Sequence, residues 1–329
     1  MSEAGTSLSI ASNDRIPNQE AFSLELGMPH LGRHNLSESA LFKAIGYNRW
    51  KQIEDAGGIK SALICDAAGT RLYATFFFLE VNLPRHMPLS TFGENSFVPF
   101  NTDLAHYSRV YLDGWYSLAE HPEFGVRASN VFIYQERGPS KLSLSMPMNV
   151  DFSSISELLA APDSLDLCRK AKVDRTFFES CKNDLDVYNG EREFVYEIDA
   201  DRDLNGAGLV YFANFISFLD LAERKILSTL RSPVPSGILD ARSTYRRRIG
   251  YFGNAQSTDR LHIFVKTRLH VVQNEDHELL DLGFDYRILR SSDCKEIVIS
   301  SCRKVAPIQA GSENEAWARD WTRSTGFSN

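Results

Sequence analysis

The residues of this chain that could do chemistry gather at two Gly-rich turns, one aromatic stretch and one basic run. At Asp203-Leu204-Asn205-Gly206-Ala207-Gly208 a turn carrying a carboxamide leads into a long apolar segment. The carboxamide of Asn205 cannot serve as base or nucleophile, but its NH₂ can donate to an oxygen that is gaining charge. The plainer reading is a residue that closes a turn or caps a helix. Gly206 and Gly208 would let backbone N–H groups approach a ligand at the positive end of the following helix. A second turn, Gly253-Asn254, presents another side-chain donor. Shortly before it, Tyr245-Arg246-Arg247-Arg248 is a basic run in an acidic protein. Arg246 and Arg248 suit phosphate groups, although such a run is more often a solvated face. His34, His86, His106, His262 and His270 form no HxxxH or HExxH pattern, so no metal is expected.

Two sets of elements must position these residues. The stretch from Asp203 to Leu230 reads as a loop feeding a helix over Val210–Leu230 whose apolar residues cover more than one narrow stripe, so something wraps it, most simply a sheet. An earlier loop, 27–35, precedes a second helix that runs from a cap at Asn35 or Ser37 to the stop at Gly57-Gly58. Strands are expected at 22–26, 72–83, 108–118, 130–135 and 141–146, and again at 194–198, 244–252, 261–272, 278–289 and 295–305. The order strand, loop, helix, strands therefore occurs twice. Laying the loops together sets Leu31 against Leu204, Leu36 against Leu209, Phe42 against Phe215 and Ile45 against Phe218, an offset of about one domain. The expected organisation is a flexible lead at 1–20, a first unit at 21–150, a linker at 151–190, a second unit at 191–310 and a tail at 311–329, the units paired about a pseudo-twofold axis. Trp317 and Trp321 in the tail stand i, i+4 and could dock, with no function assigned.

Composition narrows the class. The 329 residues are 43% hydrophobic and 24% charged with a net charge of −7, which gives core enough and argues against a nucleic-acid surface. Five scattered cysteines without a CxxC (Cys65, Cys168, Cys181, Cys294, Cys302) indicate neither a disulfide framework nor zinc and fit the reducing cytoplasm. No secretory leader and no membrane span is expected.

A strand, a Gly-rich loop, one long apolar helix and then antiparallel strands resemble the hot-dog fold, in which a curved sheet wraps a central helix. The run from Asn205 to Asp220 is similar to the loop-and-helix signature of the 4-hydroxybenzoyl-CoA thioesterase family. The whole chain, with its tandem units, RDLNGAGLVYFANF, Ile249–Ala255, Leu72–Phe78, Phe92–Glu94 and the Ser145-Met-Pro147 segment, resembles the double hot-dog acyltransferase/decarboxylase family of leinamycin biosynthesis. That resemblance implies an α+β tandem hot-dog in polyketide assembly. It implies decarboxylation of a methylmalonyl-type coenzyme A thioester and transfer of the acyl group to a phosphopantetheinylated acyl carrier protein. Coenzyme A enters as part of the substrate and no further cofactor is implied; a homodimer stays open.

The same resemblance implies that Tyr73 carries the acyl group as an ester, with Thr75 on the same face of the strand. Taken alone, Tyr73 reads as a core tyrosine, because a phenol of pKa near ~10 needs a base, a cation or strong hydrogen bonds to act as a nucleophile. Asn205 departs from the thioesterase signature, which has an Asp there, and so turns that loop away from hydrolysis and towards holding an enolate. Ser145, with Lys141 and Ser143, would line the pantetheine path, and in the loop register the partner of Tyr73 is Arg246. Some hot-dog thioesterases take their base from the central helix, which singles out Glu38; an acid in a first turn is also favoured by the helix dipole alone. A thioesterase or dehydratase using Glu38, and a non-catalytic carrier-protein binder, are the competing readings.

Overall fold

The structure is a computed structural model and describes residues 20–33, 35–136, 142–178, 186–229, 233–273, 278–308 and 311–324. His34, Lys141 and Cys181, the lead before Glu20 and part of the expected linker lie outside the described residues, as does the side chain of Trp321. The first unit comprises β1 (Glu20–Glu25), α1 (Glu38–Gly57), β2 (Tyr73–Asn82), β3 (Phe97–Thr102), β4 (Ala105–Tyr107), β5 (Tyr111–Leu118), β6 (Gly125–Gln135), β7 (Leu142–Leu144) and β8 (Ser156–Glu157). Then come α2 (Asp163–Asp174) and the second unit: β9 (Asp186–Glu197), α3 (Ala200–Asp203), α4 (Asn214–Ser228), α5 (Ser236–Ala241), β10 (Ser243–Tyr251), β11 (Arg260–Gln273), β12 (Glu278–Arg290) and β13 (Glu296–Ile308), followed by α6 (Glu313–Ser324).

One sheet runs through both units in the order β1-β3-β5-β6-β2-β10-β13-β12-β11-β9. Its two halves join where β2 and β10 pair antiparallel, and each half curls around its own helix, α1 or α4. This is the tandem hot-dog architecture expected from the sequence.

The helices form for local reasons. Ser37 caps α1 by accepting the Ala40 N–H, and Gly58 ends it in the left-handed region at φ 63°. The buried residues of α1 include Leu41, Phe42, Ile45, Arg49, Gln52 and Ile53 beside Glu38, Gly46 and Gly57, and those of α4 include Phe215, Ile216, Leu219, Glu223, Ile226 and Leu227 beside Phe218 and Ala222. Six buried residues of each helix coincide in that order, which sets Phe42 against Ile216, one position beyond the register of the loop comparison. The cause lies in the loops. Leu31 bridges to Leu36, while its counterpart Leu204 bridges to Val210, one position further along, so the second loop is longer by a single residue.

The central strands carry their own marker. Each has a bulge, between Phe76 and Phe78 in β2 and between Thr244 and Arg246 in β10, which sets Phe77 against Tyr245. In that register Glu80 and Arg248, which pair with each other, exchange places, so the pseudo-twofold axis passes between them. Tyr73 then corresponds to Ala241, and Arg246 is not its partner.

Other expectations shift for stated reasons. Residues 210–213 are an ordered turn, with Val210 N–H bonded to Ala255 O and Tyr211 N–H to Asp203 O, and α4 starts only at Asn214. Between the expected strands at 72–83 and 108–118 the chain forms a further strand, β3, where Pro99 sits opposite Ser23 of β1. Within the expected linker, α2 packs with Cys168 and Ala171 against Phe77, Phe78 and Ile299 on the outer face of the sheet, away from α1 and α4. In the tail, Trp317 packs on the main core beside buried Ala318.

Candidate active site

The alternation of side chains along β10 splits the basic run. Arg246 and Arg248 emerge on the outer face, over the Phe178 ring at 5.2 and 5.5 Å. Arg247 points inward and is fully buried. Arg248 is tied to Glu80 at 2.6 Å and to Phe177 O. Arg246 forms no ion pair among the described residues, and burial together with Arg248 pushes its pKa down.

Inside, Arg247 Nε donates to Glu38 Oε1 at 2.5 Å, and Thr244 Oγ1 donates to Glu38 Oε2 at 2.9 Å. This contact crosses the units: the carboxylate stands in the first turn of α1, and its two partners come from β10. The cluster continues under α4. Arg247 Nη2 lies 3.7 Å from Asp220. Lys304 bonds Asp220 at 2.6 Å and Glu223 at 2.7 and 2.8 Å, Arg242 bonds Glu223 at 2.9 Å, and the Tyr286 hydroxyl donates to Glu223.

Three carboxylates thus face three cations. Burial would raise the Glu223 pKa, but Lys304, Arg242 and Arg247 outweigh it and hold the carboxyl well below the usual range. Burial would lower Lys304, and Asp220 and Glu223 reverse that and raise it. The side chain of Asp220 is 43% exposed while those of Glu38, Arg247, Lys304 and Glu223 are at most 4% exposed, so the cluster meets solvent at Asp220.

Near Glu38 the first unit has a narrow apolar recess with free space of only about 10 Å³, room for about one water, lined by Leu36, Leu41, Val81, Leu83, Leu89 and Phe92 among others. Leu36 and Leu41 flank Glu38 along the chain. Leu83 N–H bonds Tyr245 O, and Ser90 N–H bonds Ser243 Oγ, next to Thr244. At the start of α1 the N–H groups of Glu38 and Ser39 have no hydrogen-bond partner among the described residues, as expected for a helix N-terminus.

The structure does not bring the sequence-derived site residues together. Leu72, just before β2, and Ala74 and Phe76 within it pack inward, so Tyr73 and Thr75 face outward. Tyr73 lies in the cluster with Phe77, Tyr111 and Ile133, with the Arg71 guanidinium 4.8 Å over its ring. The sheet stands between it and the inner cluster.

Asn205 sits on the other side, on the exposed loop before α4. Its Oδ1 accepts the N–H groups of Ala207 (2.9 Å) and Leu209 (3.3 Å), and its backbone O accepts that of Gly208, which adopts φ +72°. Of the N–H groups from Gly206 to Leu209, only that of Gly206 is not consumed inside the loop. That is the turn-closing role, and it leaves the Asn205 NH₂ without a protein acceptor among the described residues.

Asn254 ties this loop down by donating to Val210 O, while its Oδ1 accepts Ala255 N–H. Gly253 is needed because a Cβ there would come within 2.9 Å of Ile297 Cγ2. Ser145 reaches Asp66 at 3.5 Å and Ser143 bonds Glu136, both at the β7 edge, distant in the sheet order from β10. Arg247, Thr244, Lys304 and Glu223 were not singled out as site residues from the sequence. The available signal was a charged residue on the apolar face of α4 and the inward step of alternation at Arg247.

No family model and no curated protein sequence matches the chain. Among solved structures it is similar to a protein assigned as an oleoyl thioesterase from Lactobacillus plantarum, at TM-score 0.55 and 10% identity, covering 89% of this chain and 98% of that one. It is also similar to an acyl-ACP thioesterase from Bacteroides thetaiotaomicron, at TM-score 0.52 and 12% identity, covering 87% of this chain and 97% of that one. The chain has the hot-dog fold, in an α+β tandem arrangement matched along nearly the whole length of both proteins. Among the described residues no helix is long and apolar enough to cross a membrane.

Proposed function

We propose that this protein is an enzyme that hydrolyses acyl thioesters of coenzyme A or of a carrier protein, with Glu38 as the base. The observation that supports this most is a buried carboxylate at the N-terminus of α1, held by Arg247 and Thr244 beside an apolar recess. The acyl chain enters along this recess, whose apolar side chains part to admit it, and the thioester carbonyl lies at the start of α1. Water attacks the carbonyl carbon as Glu38 takes its proton. The oxyanion that forms faces the unpartnered N–H groups of Glu38 and Ser39 at the positive helix end. Collapse expels the thiolate, which regains the proton from Glu38. Arg247 and Thr244 fix the carboxylate's orientation. The thiol handle is part of the substrate, and no further cofactor enters. The thioesterase names of the similar structures agree with this reading.

A second reading keeps decarboxylation and acyl transfer to a carrier protein, through Tyr73, on the strength of Asn205 standing where a hydrolytic loop would carry an acid. It is the weaker one because Tyr73 and Thr75 face outward, away from Asn205 and from Glu38. A panel of acyl-CoA thioesters with and without a phosphopantetheinylated carrier, read separately for free thiol, CO₂ and acyl-carrier, decides between them. Thiol release without carrier or CO₂ is expected. CO₂ formation with carrier-dependent transfer, and no thiol release in its absence, would overturn hydrolysis.

A further inference from the structure

The two units place different chemistry at equivalent points of their cores. In the second unit Glu223 of α4 and Lys304 of β13 form a closed ion pair. In the helix register that sets Phe42 against Ile216, Glu223 corresponds to Arg49. Lys304 pairs with Thr244 at the bulge of β10, and Asn130 pairs with Phe76 at the bulge of β2, so Lys304 corresponds to Asn130. Arg49 and Asn130 are each 1% exposed.

Unlike their counterparts, they are not satisfied. Arg49 Nη2 donates to Ala128 O at 3.3 Å and its guanidinium lies 5.4 Å from the centre of the Tyr116 ring. Among the described residues its Nε and Nη1 have no partner, and neither polar atom of Asn130 has one. No ion pair involves Arg49 among the described residues. A buried cation without a counter-charge is costly, and a buried polar group without a hydrogen bond adds to that cost.

Local packing is shaped around this cation. A Cβ on Gly114 would come 2.4 Å from Arg49 Nη2, so the missing side chain houses the guanidinium. The matching position in the second unit, by pairing with Cys302 as Gly114 pairs with Ala128, is Phe284. Aromatic rings cover this side of it. Phe76, opposite Asn130, touches Phe212 of the loop before α4 at 4.4 Å between ring centres. Phe212 in turn abuts Gly46, one helical turn before Arg49.

We propose that Arg49 and Asn130 form a receptor for the carboxylate of a bound ligand, reached past Phe212. The guanidinium Nε and Nη1 and the Asn130 NH₂ supply the donors a carboxylate needs, and Phe212 swings aside to admit it. The receptor rests on the thioester reading only for the source of the carboxylate, the far end of an acyl chain.

The test is calorimetric binding of succinyl-CoA and of butyryl-CoA, whose acyl group has the same chain length and an uncharged end, together with thermal denaturation in free succinate. Wild type is expected to bind succinyl-CoA about 10- to 100-fold tighter than butyryl-CoA. Arg49→Met is expected to bind both equally, with Asn130→Leu as the second variant should the first not fold. Equal binding by wild type, or a preference that survives both substitutions, overturns the receptor. If neither thioester binds, the thioester reading fails and succinate decides the receptor. A rise in Tm with succinate in wild type that is lost in the variants upholds it, and no rise in wild type overturns it.

Discussion

Replacing Arg247 by Met removes one cation from a cluster in which three face three carboxylates, and leaves Glu38 buried with Thr244 as its remaining partner. Met has similar length, so the loss is electrostatic and not a cavity. Breaking a buried pair from one side costs about 3–5 kcal/mol, and the 3.3 Å bond from Arg247 to Ser300 is lost with it. At ~2 °C per kcal/mol for a chain of this size, Tm should fall by about 8 °C. The discriminating variant is the double substitution Glu38→Gln with Arg247→Met, which restores charge balance and should recover about half of that loss. Urea denaturation of wild type, both single variants and the double variant gives the coupling energy directly. A loss under ~1 kcal/mol for Arg247→Met, or strict additivity of the two substitutions, would refute the cross-unit pair as a structural and electrostatic unit.

The same cluster sets an acid limit. Because the folded-state pKa of Glu223 is depressed, its contribution is complete above its unfolded value of ~4.3 and is lost as pH falls through the folded value. Tm should therefore hold above about pH 5 and drop steeply below ~4, and Glu223→Gln should flatten that drop. Gly114→Ala should destabilise by about 1–3 kcal/mol in thermal melts, since its Cβ meets both Arg49 Nη2 and the Asp103 carbonyl at 2.4 Å; unchanged stability would show that the guanidinium is loosely held.

The order of elements was readable because each rests on a local signal. The Gly57-Gly58 stop, the Ser37 cap and the aromatic run of β2 all act within a few residues. The repeat was readable too, but its register was not. The longer second loop moves α4 one position past the register of the loops, and the bulges at Phe77 and Tyr245 give the central strands a register of their own, so no single offset describes the pairing. The same bulges decide the site. With the alternation of β2, Tyr73 faces outward, while Arg247, hidden in a run that reads as surface charge, is the one arginine of that run that enters the core. Arg49 and Glu223 sit on the buried stripes of their helices, where a charge is a sequence-level anomaly. What compensates each one, or fails to, depends on strands far along the chain, β6 for Arg49 and β13 for Glu223, and is set only by tertiary pairing.

We place thioester chemistry on the inner face at Glu38 and not on the outer face at Tyr73. Single-turnover hydrolysis of the best acyl-CoA by Glu38→Gln and by Tyr73→Phe tests it most directly. Glu38→Gln should lose about 10²–10⁴-fold, and Tyr73→Phe should keep a rate within about 3-fold of wild type. An active Glu38→Gln together with an inactive Tyr73→Phe, above all with an acyl adduct on the wild-type tyrosine by mass spectrometry, would contradict it.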